Sequence, residues 1–207
     1  MKVLVACEES QEVCKAFRHF GHEAYSCDIQ ECSGGHPEWH IQADALELLK
    51  IEWDMIIAHP PCTYITNAGA VRMRVNGEIV KERYEKAMDA KKFFMAFYNH
   101  DCPKIAIENP TPMKLIGLPQ YQQVIQPWQF GHPYSKRTCL WLKGLPPLMP
   151  TDIITHHTPY VNGGTKDAHG NYRRFPGRRE RDPKTRSKTF PGIAKAMAEQ
   201  WGGINHE

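Results

Sequence analysis

Apolar residues along this chain fall into short runs separated by segments with helical spacing. KVLVAC (2–7) is a β-rich run, and SQEVCKAFRHFG behind it places Val13, Ala16, Phe17 and Phe20 on one helical face, with Ser10 as the expected N-cap and Gly21 as the stop. HEAYSCDI (22–29) reads as a second strand ending in Asp28, followed by a Gly/His/Pro loop to His40. IQADALELL reads as a short strand and a helical turn, and WDMIIAHPP (53–61) as a fully apolar, buried strand stopped by prolines. Residues 78–99 carry apolar positions at helical spacing with charges between them, the longest helix expected. KIAIENP (104–110) repeats the design of an apolar strand followed by polar residues and proline. Residues 126–148 suggest two β-rich pieces around a turn, 149–189 a basic loop insertion, and PGIAKAMAEQWG (191–202) a closing helix. Strands alternating with helices predict an α/β, Rossmann-like doubly wound, mostly parallel sheet in a single domain over residues 1–207, without internal repeats.

Ligands of such sheets sit outside the carboxyl ends of the strands. The polar residues at those ends are therefore the candidates: Glu8 and Glu9, Asp28, Asp44, His59 to Cys62, and Glu108 with Asn109. Cys62 has two readings. Free cysteine is among the most buried and inert residue types, but a thiol at a strand exit can be activated by loop amides or a nearby cation. Glu108 is an ordinary turn acid or, where desolvated, a carboxylic acid able to protonate a ring nitrogen. Together the two supply what pyrimidine activation needs: thiolate addition at C6 and protonation at N3, which makes C5 a carbon nucleophile. Asp28 sits where an acid binds ribose hydroxyls in Rossmann-like sites, and Asp44 could receive an adenine amino group; each also suits plain turn chemistry.

Composition narrows the field less than pattern does. The 207 residues are 41% hydrophobic and 24% charged with a net charge of +3, an ordinary globular balance. The eight Lys and Arg between Arg173 and Lys188, against only Glu180 and Asp182, point to a phosphate-bearing partner. MKVLVACEES is too short and too soon charged for a signal peptide, and no apolar stretch reaches the ~20 residues of a bilayer span, so a cytoplasmic location is expected. Seven scattered cysteines suit free thiols, ligands or a catalytic residue better than a disulfide frame. Cys27, Cys32, His36 and His40 are a rival, zinc-type set, although their spacing matches no common finger and Cys27 falls inside an expected strand. No metal is the expectation. His156, His157 and His169 read as loop residues.

In segment order the chain resembles the cytosine-C5 methyltransferases. VACEESQEVCKAFRHFGHEAYSCDI corresponds to the donor-binding opening, QADA to the next acidic turn, IAHPPCTY to the Pro-Pro-Cys loop and IAIENPTP to the Glu-Asn segment. FGHPYSKRTCLWL matches the basic strand pair and KTFPGIAKAMAEQWG the final helix, so the likeness covers most of the chain. The phrases PWQFGHP and LWLKGLPPL resemble compact phage and prophage members.

The resemblance implies the S-adenosylmethionine-dependent methyltransferase fold, with S-adenosyl-L-methionine as cofactor. It implies Cys62 as nucleophile at C6, Glu108 as the acid at N3 and Arg137 beside them as a catalytic cation. Cys7, Glu8, Glu9, Asp28, Ile29, Asp44, Ala45 and Pro60 would line the donor site, and Asn109, Lys136, Arg173 and Arg174 would meet the substrate. DNA, duplex or single-stranded, is the implied partner. Glu9, Ser10, Gln11 and Glu12 stand where the family is glycine-rich, and Tyr134 to Thr138 replace its Gln-x-Arg-x-Arg. Only Lys143 to Lys188 is available as a target-recognition region. That reduction leaves a free pyrimidine nucleotide open as substrate, and an inactive nucleic-acid-binding relative as a reading from another class.

Overall fold

The computed structural model describes residues 1–161, 164–166, 172–174 and 182–203. Its centre is a seven-stranded sheet built from β1 (Lys2–Ala6), β2 (Glu23–Asp28), β3 (His40–Gln42), β4 (Met55–Ala58), β5 (Ile105–Asn109), β6 (Gln123–Ile125) and β7 (Thr138–Lys143). The spatial order is β3-β2-β1-β4-β5-β7-β6. The first five strands run parallel, in a register that sets Ala6 beside both Cys27 and Ala58, and Ala58 beside Ile107. β7 enters antiparallel between β5 and β6, with Leu140 opposite Glu108. This is the expected α/β, Rossmann-like doubly wound sheet.

Alternation along the strands builds two cores. Val5, Ile57, Ala106 and Leu140 face one side, packed with Val13 and Phe17 of α1 (Glu12–His19) and with Ile193, Met197 and Trp201 of α5 (Pro191–Gly202). Leu4, Ile56, Ile107 and Trp141 face the other, with Ala45 and Leu48 of α2 (Ala45–Leu48) and Phe94 and Phe97 of α3 (Lys81–Tyr98). Phe94 and Phe97 are wholly buried, each worth roughly 1.5–3 kcal/mol of apolar transfer, which makes the α3 phenylalanine face a core face. A short helix α4 (Pro183–Ser187), capped by Asp182, precedes α5.

Two local expectations are corrected and one strand is added. α3 starts at Lys81 rather than Glu78, because Glu78–Ile79 pairs with Arg74–Val75 across Asn76 and Gly77, both at positive φ, as a two-residue hairpin requires. α1 is not capped by Ser10: Gln11, at φ 60°, occupies the cap position without a capping side chain of its own. The short segment Gln123–Ile125, to which the sequence pattern assigns no element, becomes one edge strand of the sheet. The insertion at 149–189 contains α4 and a strand pair, Gly164–Lys166 with Tyr172–Arg174. The side chains of Arg173 and Arg174, like His169, lie outside the described residues.

Candidate active site

The carboxyl rim of the sheet divides into two neighbouring halves. At the exits of β1, β2 and β3 the chain turns sharply, with Cys7 and Gln11 both at φ 60°, a left-handed conformation uncommon outside glycine. Between them Glu8 turns inward and accepts hydrogen bonds from the amides of Val13 at 2.7 Å and Cys14 at 3.2 Å, doing for α1 what an N-cap side chain normally does. Burial outweighs those bonds and the nearby His59 charge and pushes the Glu8 carboxyl up to about 7. Glu9 accepts from the Ser33 hydroxyl and lies 3.8 Å from Lys184 Nζ. Gln11 is fully buried, donates to Ser26 Oγ and the His36 carbonyl, and accepts from the His36 amide and the Cys32 thiol.

Gly34 lies so close beneath this turn that a Cβ there would come within 2.5 Å of Gln11 Cβ and the Ser10 carbonyl. Asp28 ends β2 and accepts from Gln30 N, while Asp44 caps α2 through Leu46 N. Both carboxylates act on the Cys7 thiol, which burial first and these charges second raise well above the ordinary range. Ile29 beside them is 74% exposed, an apolar face at the rim.

The second half lies at the exits of β4 and β5. Because Ala58 registers with Ile107, the next residues, His59 and Glu108, are neighbours on the α1/α5 side of the sheet. His59 Nδ1 is 3.2 Å from Glu108 Oε2, with both side chains only 12–13% exposed, and the Thr189 hydroxyl donates to the same oxygen at 3.2 Å. Burial alone would raise Glu108; the His59 hydrogen bond and charge, with Lys136 and Thr189, hold it below the usual carboxylate range. Burial alone would lower His59, but Glu108 and Glu8 raise it. The sequence-based expectation of an elevated Glu108 is thus reversed by a partner: the proton of the resting pair sits on the imidazole.

Pro60 and Pro61 then carry the chain off the sheet to Cys62, the exposed one of the seven cysteines. Its carbonyl is tied down by Ile65 N, Thr66 N and Thr66 Oγ1. Asn109 Nδ2 donates to the Pro60 carbonyl at 2.7 Å, joining the loop to the end of β5. Partial burial raises the Cys62 thiol, while Lys136 and Arg186 act to lower it. Cys14 and Cys27 contrast with it: inside the core, burial pushes them up to about 12 and about 11.

The structure thus gathers Cys62, Glu108, Asn109, Pro60 and Lys136 at one end of β4 and β5, and Cys7, Glu8, Glu9, Asp28, Ile29, Asp44 and Ala45 at the adjoining exits of β1 to β3. Arg137 points elsewhere, donating to Thr111 Oγ1 at 3.0 Å and Tyr121 Oη at 3.1 Å. The cation facing Cys62 and Glu108 is Lys136, whose Nζ is anchored on the Arg186 carbonyl at 2.9 Å. Cys27, Cys32, His36 and His40 each bond to a different neighbour: the Ala43 carbonyl, Gln11, Glu38, and Ser26 with Gln30. No metal-binding group of three or more such side chains forms among the described residues.

Thr189 and Arg186 were not singled out from sequence as parts of the site, and His59 was placed at the rim without a role. For His59 the available signal was the parallel register, which places the residue after an apolar strand beside its counterpart in the next one. Thr189 and Arg186 reach the site through a long-range chain return that carries no local signal.

No protein-family model matches the chain, and no curated protein does. Among solved structures it is similar to the Entamoeba histolytica methyltransferase EhMeth, at 14% identity and a TM-score of 0.46, covering 78% of this chain and 58% of that one. It is also similar to the Dnmt2 methyltransferase of S. pombe, at 12% identity, a TM-score of 0.43 and coverage of 71% and 51%. A mutant DNMT2 of Spodoptera frugiperda gives 14% identity, a TM-score of 0.41 and coverage of 76% and 57%. The chain spans somewhat over half the length of these neighbours. Among the described residues no helix is long and apolar enough to cross a membrane.

Proposed function

We propose that the chain is an S-adenosyl-L-methionine-dependent methyltransferase acting on C5 of cytosine in DNA through a covalent bond from Cys62 to C6. The observation that carries this reading is the grouping of an exposed thiol with a half-buried carboxyl and a half-buried cation at the exits of β4 and β5. Lys136 and Arg186 favour the thiolate that attacks C6, and Glu108 faces N3, where a proton must arrive as electrons leave the C5–C6 double bond. Asn109 fixes the Pro60 carbonyl and hence the approach of the thiol. Expulsion of the thiolate after loss of the C5 proton returns the N3 proton to the enzyme.

The donor supplies an electrophilic methyl group when bound. Asp28 suits its ribose hydroxyls, Ile29 its purine face, and Asp44 with Ala45 the adenine edge. The inward-turned Glu8 and the closely packed Gln11 leave Glu9 as the carboxylate for the donor's amino group. The fit is good for the adenosine part and altered at the methionine end.

The test is transfer of tritiated methyl to duplex DNA, single strands and free dCMP, beside calorimetric titration with the donor. Label in DNA is expected. Label in dCMP alone would move the substrate to the free nucleotide, and no donor binding would leave an inactive nucleic-acid-binding protein.

A further inference from the structure

The Glu108 carboxyl is hydrogen-bonded to His59, and this pairing bears on where the proton for N3 comes from; the inference rests on the function proposed above. His59 Nδ1 and Glu108 Oε2 lie 3.2 Å apart, while His59 Nε2 is buried without a hydrogen-bond partner among the described residues. The groups acting on the imidazole are Glu108 at the end of β5, Glu8 at the exit of β1 and Lys136 just before β7. Two acids and one ammonium around a buried imidazole favour a proton there, and Glu108 is left ionised. A carboxylate without a proton cannot protonate a ring nitrogen.

We propose that His59 is the proton reservoir of Glu108: its Nδ1–H passes to the Glu108 carboxylate, and the carboxylic acid so formed gives that proton to N3 of the pyrimidine. The balance is simple. As the S–C6 bond forms, the imidazolium becomes neutral imidazole, Glu108 ends as it began, and N3 gains one proton. When the thiolate leaves, the N3 proton returns by the same two transfers, and only the C5 proton is lost to solvent. His59 therefore acts through Glu108 and is a positioning and proton-supplying residue rather than one touching substrate.

The test is the single-turnover rate of adduct formation on duplex DNA containing 5-fluorocytosine, with S-adenosylmethionine present. His59→Gln retains a hydrogen-bond donor but cannot release a proton, and a slowing of ~100-fold is expected with donor binding unchanged. The wild-type rate should fall at alkaline pH as the imidazolium is lost, a limb that His59→Gln lacks. Added imidazole should restore about tenfold in His59→Ala. That alkaline limb is read on the wild-type protein and needs no variant to fold. A wild-type rate that does not fall at alkaline pH, or a His59→Gln rate equal to wild type, overturns the inference alone. Absence of any wild-type adduct overturns the proposed function and the inference with it.

Discussion

The two halves of the carboxyl rim treat their polar side chains differently. Around β1 to β3 these groups are engaged in the fold: Glu8 caps α1, Gln11 ties down residues 32–36, and Asp28 and Asp44 hold their own turns. Around β4 and β5 the thiol is exposed, and Asn109 Oδ1 and His59 Nε2 are buried with no partner among the described residues. Each buried polar group left unpaired costs about 1–3 kcal/mol. One half is thus a mould set by its own hydrogen bonds, and the other keeps reactive and bonding capacity for something outside the chain. On the proposed function the two halves have separate tasks, holding a donor and performing chemistry, and perturbations should separate the same way.

The largest effect is expected in the second half. Glu108→Gln removes the acid and leaves His59 and Lys136 facing a neutral amide, and methyl transfer should fall about 10²–10⁴-fold with donor affinity retained. A parallel loss of donor affinity in calorimetry would erase the division. In the first half the prediction concerns stability. Glu8 is raised in the folded chain, so its protonated form favours the native state; that contribution is full below the unfolded carboxyl range and is lost as pH rises through about 7. It amounts to about 3 kcal/mol, so denaturant midpoints should drop between about pH 5 and about pH 8, and Glu8→Gln should flatten that slope.

Gly34→Ala forces a Cβ against Gln11 and should cost about 2 kcal/mol in stability while weakening donor binding. An unchanged melting temperature would mean that residues 32–36 are not part of the mould. Asn109→Ala frees the Pro60 carbonyl and should slow transfer about tenfold with little change in melting. Smallest is Arg137→Ala. Its guanidinium braces Thr111 and Tyr121 instead of facing Cys62, so transfer should change less than about threefold, against a far larger loss in Lys136→Ala. Equal losses in the two variants would return the catalytic cation to Arg137.

Much of this arrangement was legible in the pattern of residues, and the omissions have physical causes. β1, β4 and β5 are continuous apolar runs because both faces of a central parallel strand are buried, and their ends place Cys62 and Glu108 together. α5 coincides with residues 191–202 because Pro191 at its first turn and Gly203 after its last residue punctuate it. Asn76-Gly77 is a hairpin signal just ahead of the helical pattern, and the hairpin takes the first two residues of that pattern. β6 escaped because a three-residue edge strand has too short a period to detect. The inward turn of Glu8 and the His59–Glu108 pair depend on left-handed backbone and on register between strands, which spacing along one segment does not encode.

The central claim is that Cys62 is the attacking thiol of a pyrimidine C5 site. Duplex DNA carrying 5-fluorocytosine, incubated with the protein and S-adenosylmethionine and resolved under denaturing conditions, tests it most directly. The account predicts a covalent protein–DNA adduct that disappears in Cys62→Ser. An adduct that persists in that variant, or none with the wild-type chain, would contradict it.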